Sequence, residues 1–269
     1  MPMNIVICAK EVLDPDAVDN YALAGKLEVE ADGKTLVRKS IPRLMNAYDE
    51  QAIECALRLR DAGADCKIHV VSLGTAPTKI LQHSVAMGAD EVAMIPVDTA
   101  SVDGHATASL LAAFIKSIGG ADLVLCGRQA SDVDQGVVPS MIAEMLGMPV
   151  VTVAREVELI DGPALRVTRV TPDGDEIVEV GCPAVVTISN ELGDPRYPTG
   201  IRTVKAQRVK PRQVSPDELG VDEGGKPRWT MTRQSVEQIT GSCEFIDGDS
   251  AAAKARALVE RLRADGVIE

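Results

Sequence analysis

Aromatic residues are nearly missing from this chain: one Trp, three Tyr and two Phe among 269 residues. Stacking platforms for single-stranded nucleic acid need several such rings, which argues against that function class. A basic excess is missing too. The formal net charge of −12 argues against a nucleic-acid backbone or an anionic membrane as the main partner. The six cysteines, at positions 8, 55, 66, 126, 182 and 243, form no CxxC pair, which speaks against a metal or disulfide scaffold and fits a reducing compartment. No apolar run approaches 18 residues, and no basic start with an apolar stretch opens the chain, so the sequence reads as cytoplasmic and soluble. GxGxxG, GxSxG and HExxH motifs are absent. Gly33-Lys34-Thr35 mimics the end of a P-loop, but Glu28 stands where the first glycine belongs. The histidines, His69, His83 and His105, have no nucleophile beside them in sequence, so acid–base chemistry has little support.

What is present is aliphatic and periodic. Asn4–Cys8 reads as a buried strand, 49–60 as a helix with Ala52, Ile53, Ala56 and Leu57 on one face, and 67–73 as the next strand. Helix 78–87, strand 91–95, helix 105–118 and strand 122–126 follow. Strands alternating with helices mean βαβ units, a parallel sheet and right-handed crossovers. Ligands in such sheets bind beyond the carboxyl ends of the strands, near the topological switch. The loops after Cys8, Leu73 and Cys126 are therefore expected around one pocket. Two insertions break the alternation: a hairpin with a Gly turn over 27–38, and β-rich segments at 155–160, 165–170, 176–180 and 184–188. From Asp194 to Gly248 the chain is rich in Pro, Gly and charge with few periodic apolar positions, as expected of a segment that is disordered or lies on a partner. A final helix is expected over 250–263. The fold class read from this pattern is α/β: helices on a parallel sheet, with β-rich additions and an extended C-terminal arm.

The segment from Gly127 to Met148 carries the most information. Apolar Leu123–Cys126 opens through Gly127, Arg128, Gln129, Ala130, Ser131, Asp132, Val133, Asp134, Gln135, Gly136, Val137 and Val138 into a helical pattern. A strand that passes through a polar, Gly-containing loop into a helix offers free N–H groups and a helix dipole to an anion. The alternative is a loop that is polar only because it is exposed. Asn46, Ala47, Tyr48 and Asp49 precede a helix; Asn46 or Asp49 is placed to cap it, and Tyr48 to stack on a ring. Asp103–Thr107 opens another helix and either faces the same pocket or is simply capped by Asp103.

These residues bring a resemblance into view. NIVICAKEV, MNAYDEQAIECALRLRDAG, VVSLG followed by AMGAD, LVLCGRQASDVD and CPAVVTISNELGDPRYPTGIRTVKA occur in this order along nearly the whole chain. The sequence resembles the beta subunit of an electron transfer flavoprotein, the FixA-like family. The resemblance implies a three-layer, parallel-sheet, adenine-nucleotide-binding fold of the universal-stress type, divided into a nucleotide-binding domain at 1–193 and a partner-recognition loop with C-terminal arm at 194–269. It implies a heterodimer with an alpha subunit that holds most of an FAD, with an AMP buried in beta. It implies an electron carrier between acyl-CoA or other flavin dehydrogenases and a downstream acceptor, rather than an enzyme with its own substrate. By position, the AMP pocket would involve Cys8 and Ala9, Asn46 to Asp49, Leu73, and Gly127 to Val138. Partner contacts would come from Arg196, Tyr197, Gly200 and Ile201. Val137 and Pro139 depart from the family's late Gln and Gly, which leaves phosphate contacts to the backbone. Some members hold a second FAD in place of AMP and bifurcate electrons; DGHATAS resembles that subset, whereas VVPS does not, and AMP is favoured. A free-standing adenine-nucleotide sensor is the reading from another class, and the long tail argues against it. A nucleotide-dependent ligase or hydrolase lacks its SGGxDS-type loop.

Overall fold

The computed structural model describes residues 2–37, 41–160, 162–221, 225–236 and 243–269. It divides into two compact units, 1–235 and 236–269. In chain order the first unit contains β1 (Met3–Cys8), β2 (Glu11–Leu13), α1 (Pro15–Leu23), β3 (Arg43–Met45), α2 (Ala47–Asp61), β4 (Cys66–Leu73), α3 (Thr78–Met87), β5 (Glu91–Ile95), α4 (Gly104–Ser117) and β6 (Leu123–Gly127). These are followed by α5 (Val138–Leu146), β7 (Val150–Ile160), β8 (Ala164–Thr171), β9 (Gly174–Gly181), β10 (Ala184–Ile188), α6 (Gly200–Ala206) and β11 (Arg212–Gln213).

Nine strands form one sheet in the order β11-β5-β4-β1-β6-β10-β7-β8-β9, parallel from β11 to β7 and antiparallel thereafter. The central strands are mainly apolar because both of their faces are covered. One core layer joins Ile5, Ile7 and Leu125 to Ile53 and Leu57 of α2 and Leu81 of α3. The other joins Val6, Val71 and Val124 to Leu111 and Ile115 of α4 and Ile142 of α5. This is the three-layer α/β arrangement expected from the alternation. Among the described residues no helix is long and apolar enough to cross a membrane.

Several elements differ from the sequence expectation. The 27–38 hairpin is reduced to a single bridge, Val29 to Leu36, and its turn is held by Asp32, whose carboxylate accepts N–H groups of Lys34 and Thr35; Arg38 lies outside the described residues. That Asx turn replaces any P-loop geometry at Gly33–Thr35. The antiparallel pair β2–β3 and helix α1 are additions. Strand β7 starts at Val150 rather than 155, because its first residues pair in parallel with β10 before it turns into the antiparallel meander. Val153 takes φ 61 at that change of partner, and its N–H is held at 2.9 Å by the hydroxyl of Thr187.

Beyond residue 193 the chain continues on the body of the first unit. Ala206 and Val214 are buried, and β11 adds a parallel edge strand to β5. The compact unit thus runs past the expected 193/194 boundary. In the second unit, α7 (Ala251–Ala264) agrees with the expected final helix, and the Ser250 hydroxyl caps it by accepting the Ala253 N–H.

Candidate functional site

The chain runs from β1 to β4 and β5 on one side and returns to β6 and β10 on the other. The topological switch therefore lies between β1 and β6, where Cys8 and Cys126 stand in register. The carboxyl ends of β4, β1 and β6 are side by side, which brings Leu73, Cys8, Ala9 and Gly127 to one rim as expected.

Asp49 occupies the switch point. It lies in the first turn of α2, is buried, and accepts the Gly127 N–H at 2.9 Å through Oδ1 and the Lys10 N–H at 2.8 Å through Oδ2. Burial pushes its carboxyl up to about 7, against the pull of those two N–H groups. Asn46 occupies the N-cap position of α2 but makes no side-chain cap bond. Instead its amide donates to the Gln129 carbonyl at 2.8 Å and its carbonyl accepts the Ser131 N–H at 3.2 Å. Both residues read from sequence as caps are thus fasteners of the 127–138 loop. Gly127 is required by the same packing: a Cβ there would meet the Asp49 carboxylate, Tyr48 Cβ at 2.6 Å and the Tyr48 carbonyl carbon at 2.9 Å. The close approach that demands glycine is to α2, where the sequence suggested a ligand.

Tyr48 lies beneath Arg128, whose guanidinium carbon is 5.4 Å from the ring centroid. The ring expected to stack on a ligand is already covered on one side by a cation of the protein. Arg128 also donates to the hydroxyl of buried Ser189 at 3.3 Å. Further along, Gln129 donates to Asp134 at 3.0 Å, and Lys10 Nζ pairs with Asp132 at 2.6 Å. Lys10 and Ser189 were not singled out in sequence, although Lys10 immediately follows the rim residues Cys8 and Ala9.

Residues 131–137 face solvent. Asp134 and Gly136 take φ 48 and 62, and the chain then enters α5, whose first turn has no acidic residue and whose N-cap, Val137, has no capping side chain. Among the described residues the N–H groups of Gln135, Gly136, Val137 and Val138 donate to nothing in the protein. Four free donors and a helix dipole are what an anion needs. The start of α4 closes on this corner, since a Cβ on Gly104 would lie 3.0 Å from the Val137 side chain. Asp103 caps α4 by accepting the Ala106 N–H at 2.8 Å, and its other oxygen accepts the N–H groups of Arg228 and Trp229. Ala47 is exposed at the start of α2.

The four expected partner residues divide into two sets. Tyr197, Gly200 and Ile201 are exposed, Tyr197 by 97%. Arg196 turns inward onto Glu54 and Asp61.

The family model described as the electron transfer flavoprotein domain matches residues 33–216. The caffeyl-CoA reductase–Etf complex subunit CarD of Acetobacterium woodii is 34% identical, covering 99% of this chain and 100% of its own. The electron transfer flavoprotein subunit beta of Thermoanaerobacterium thermosaccharolyticum is 35% identical with the same coverage. The acryloyl-CoA reductase electron transfer subunit gamma of Anaerotignum propionicum is 35% identical over 73% of this chain and 72% of its own. With the sheet order, the rim and the motif order in agreement, the chain belongs to the electron transfer flavoprotein family, on its beta-subunit side.

Proposed function

We propose that the chain is the beta subunit of a heterodimeric electron transfer flavoprotein, carrying electrons between flavin dehydrogenases and a downstream acceptor. In this reading the alpha subunit holds most of the FAD, and beta holds an AMP at the rim of β1 and β6. The observation that carries the nucleotide assignment is the run of unpaired N–H groups from Gln135 to Val138 at the start of α5. The residues fit a phosphate. Of the two acidic side chains nearby, Asp132 is offset by its ion pair with Lys10, whereas Asp134 keeps its charge and is held by the neutral amide of Gln129. FAD, when bound with the alpha subunit, supplies the one- and two-electron redox chemistry. The chain's own residues shape and hold the site: Asp49 and Asn46 set the loop, Gly127 lets α2 close on β6, and Arg128 adds positive charge. Arg196 to Ile201 and residues 236–269 are assigned to partners, the dehydrogenase and the alpha subunit.

A second FAD in place of AMP is the other reading. It is favoured by the two relatives named as electron-transfer subunits of CoA reductase systems and by the meeting of α4 and α5 at Gly104 and Val137. Co-expression with the cognate alpha subunit, followed by release and counting of bound ligands, tests both. One flavin and one AMP per heterodimer supports the first reading, and two flavins without AMP the second. A colourless chain that binds no alpha subunit overturns both and leaves the sensor.

A further inference from the structure

Helix α2 has a second polar face. Gln51, Glu54, Arg58 and Asp61 recur at steps of three, four and three residues and so lie along one side of it. All of them touch the stretch from Asn190 to Arg196. The Gln51 amide donates to the carbonyls of Asn190 and Gly193, and Arg58 donates to the carbonyl of Leu192 at 2.8 Å. Glu54 is 5% exposed and accepts from Arg196 three times, through the backbone N–H at 3.1 Å, Nε at 2.7 Å and Nη2 at 3.2 Å. Arg58 Nε supplies a fourth donor at 3.0 Å, and Arg196 Nη2 also reaches Asp61 at 2.8 Å.

A buried carboxylate is tolerated only when its charge and lone pairs are matched, and here they are. Burial alone would raise the Glu54 carboxyl, but the Arg196 and Arg58 donors outweigh it and hold the carboxyl below its ordinary range. The segment Gly193–Thr199 has no helix or strand of its own, so side chains must fix its path. Its far end is fixed separately, where Gln82 of α3 donates to the carbonyls of Gln207 and Val209 behind α6. Between these two anchors stands Tyr197, directly after Arg196 and almost fully exposed.

We propose that Glu54 is the positioning residue of the recognition segment: by gripping the backbone and the guanidinium of Arg196 together, it fixes the direction in which Tyr197 is presented to an incoming flavin dehydrogenase. The inference rests on the reading of Arg196–Ile201 as partner-facing. Arg196 is then an internal strut rather than a contact, and the contact is its neighbour.

The test uses the full-length chain in complex with its alpha subunit. The donor is a flavin-dependent acyl-CoA dehydrogenase, charged with its acyl-CoA, that reduces the wild-type complex. Glu54→Gln is expected to raise the KM for the dehydrogenase by about fivefold or more with kcat within about twofold. It is also expected to speed amide exchange across 194–199. Added to Tyr197→Ala, it should raise KM little further, because both changes act through one contact. Arg196→Lys, which keeps the charge but loses the fork, should shift KM in the same direction and serves if Glu54→Gln folds poorly. If Tyr197→Ala raises KM while Glu54→Gln and Arg196→Lys do not, the positioning role is overturned and the recognition reading stands. If Tyr197→Ala leaves KM unchanged, the recognition reading fails and the inference with it.

Discussion

The Asp49 carboxylate holds the Gly127 amide at 2.9 Å across 78 residues of sequence, fastening the first turn of α2 to the last residue of β6. Its second oxygen holds Lys10 just beyond β1. One side chain therefore ties together the chain ends of the two parallel strands between which the strand order reverses, and the loop that follows Gly127 inherits its starting point from that bond.

The first prediction concerns this carboxylate. Burial raises it from 3.8 to about 7, so folding takes up a proton between those values. That contribution is complete below about pH 4, is lost as pH rises to 7, and amounts to about 4 kcal/mol. Asp49→Asn turns an NH2 toward one of the two N–H donors and should cost about 2 kcal/mol near pH 5. The deficit should shrink by pH 8, where the wild type has lost its proton. Urea denaturation at both pH values checks the sign; a deficit that grows with pH would mean that the N–H groups, rather than burial, govern Asp49.

Gly127→Ala tests the floor of the site. The added methyl would sit 2.6 Å from Tyr48 Cβ and 2.9 Å from its carbonyl carbon, so α2 must move. A loss of about 3 kcal/mol, or roughly 10 °C in Tm, is expected, together with reduced nucleotide content in the purified complex. An unchanged melting curve would show that the helix yields freely.

Val137→Asp separates fold from ligand. A carboxylate at the N-cap of α5 complements the free N–H groups and the dipole, so the stability of the chain should hold or rise by up to about 1 kcal/mol. The same carboxylate occupies the place assigned to phosphate, so bound AMP or FAD in beta should fall sharply. Retained nucleotide with raised stability would move the phosphate site elsewhere.

Two truncations distinguish arm from body. Ending the chain after Ser235 removes the second compact unit; the remainder should keep its cooperative unfolding but lose its association with the alpha subunit. Ending it after Ala206 also removes β11 and buried Val214, uncovering the edge of β5, and should lower stability and solubility. Size-exclusion chromatography and thermal melts of the two forms give the comparison.

The alternation of β1, α2, β4, α3, β5, α4 and β6 was legible because each strand is a short, mainly apolar run and each helix repeats its apolar face every three to four residues. Helix α1 was not, because it buries no side chain and so leaves no periodic mark; Asp14-Pro15, an N-cap followed by proline at N1, was its only signal. The start of β7 was hidden by its change of pairing at Val153. Within the site, the rim positions were readable from strand order, but their roles were not. Asn46 and Asp49 look like caps in sequence, and only the fold reveals that their acceptors face a loop some eighty residues away. Glu54 and Arg196 are 142 positions apart, and no local pattern joins them.

Strand β10 lies between β6 and β7 although it is made after both. On the ribosome, a nascent polypeptide ending before Ala184 has β1 beside β6 and β8 beside β7 but nothing to join the two groups, and the open margins it displays are the kind that recruit other copies. Synthesis must therefore pass the keystone before the arch can stand. A stalled or clipped product lacking Ala184–Ile188 is expected to accumulate in inclusion bodies, whereas one cut after Ser235 is not.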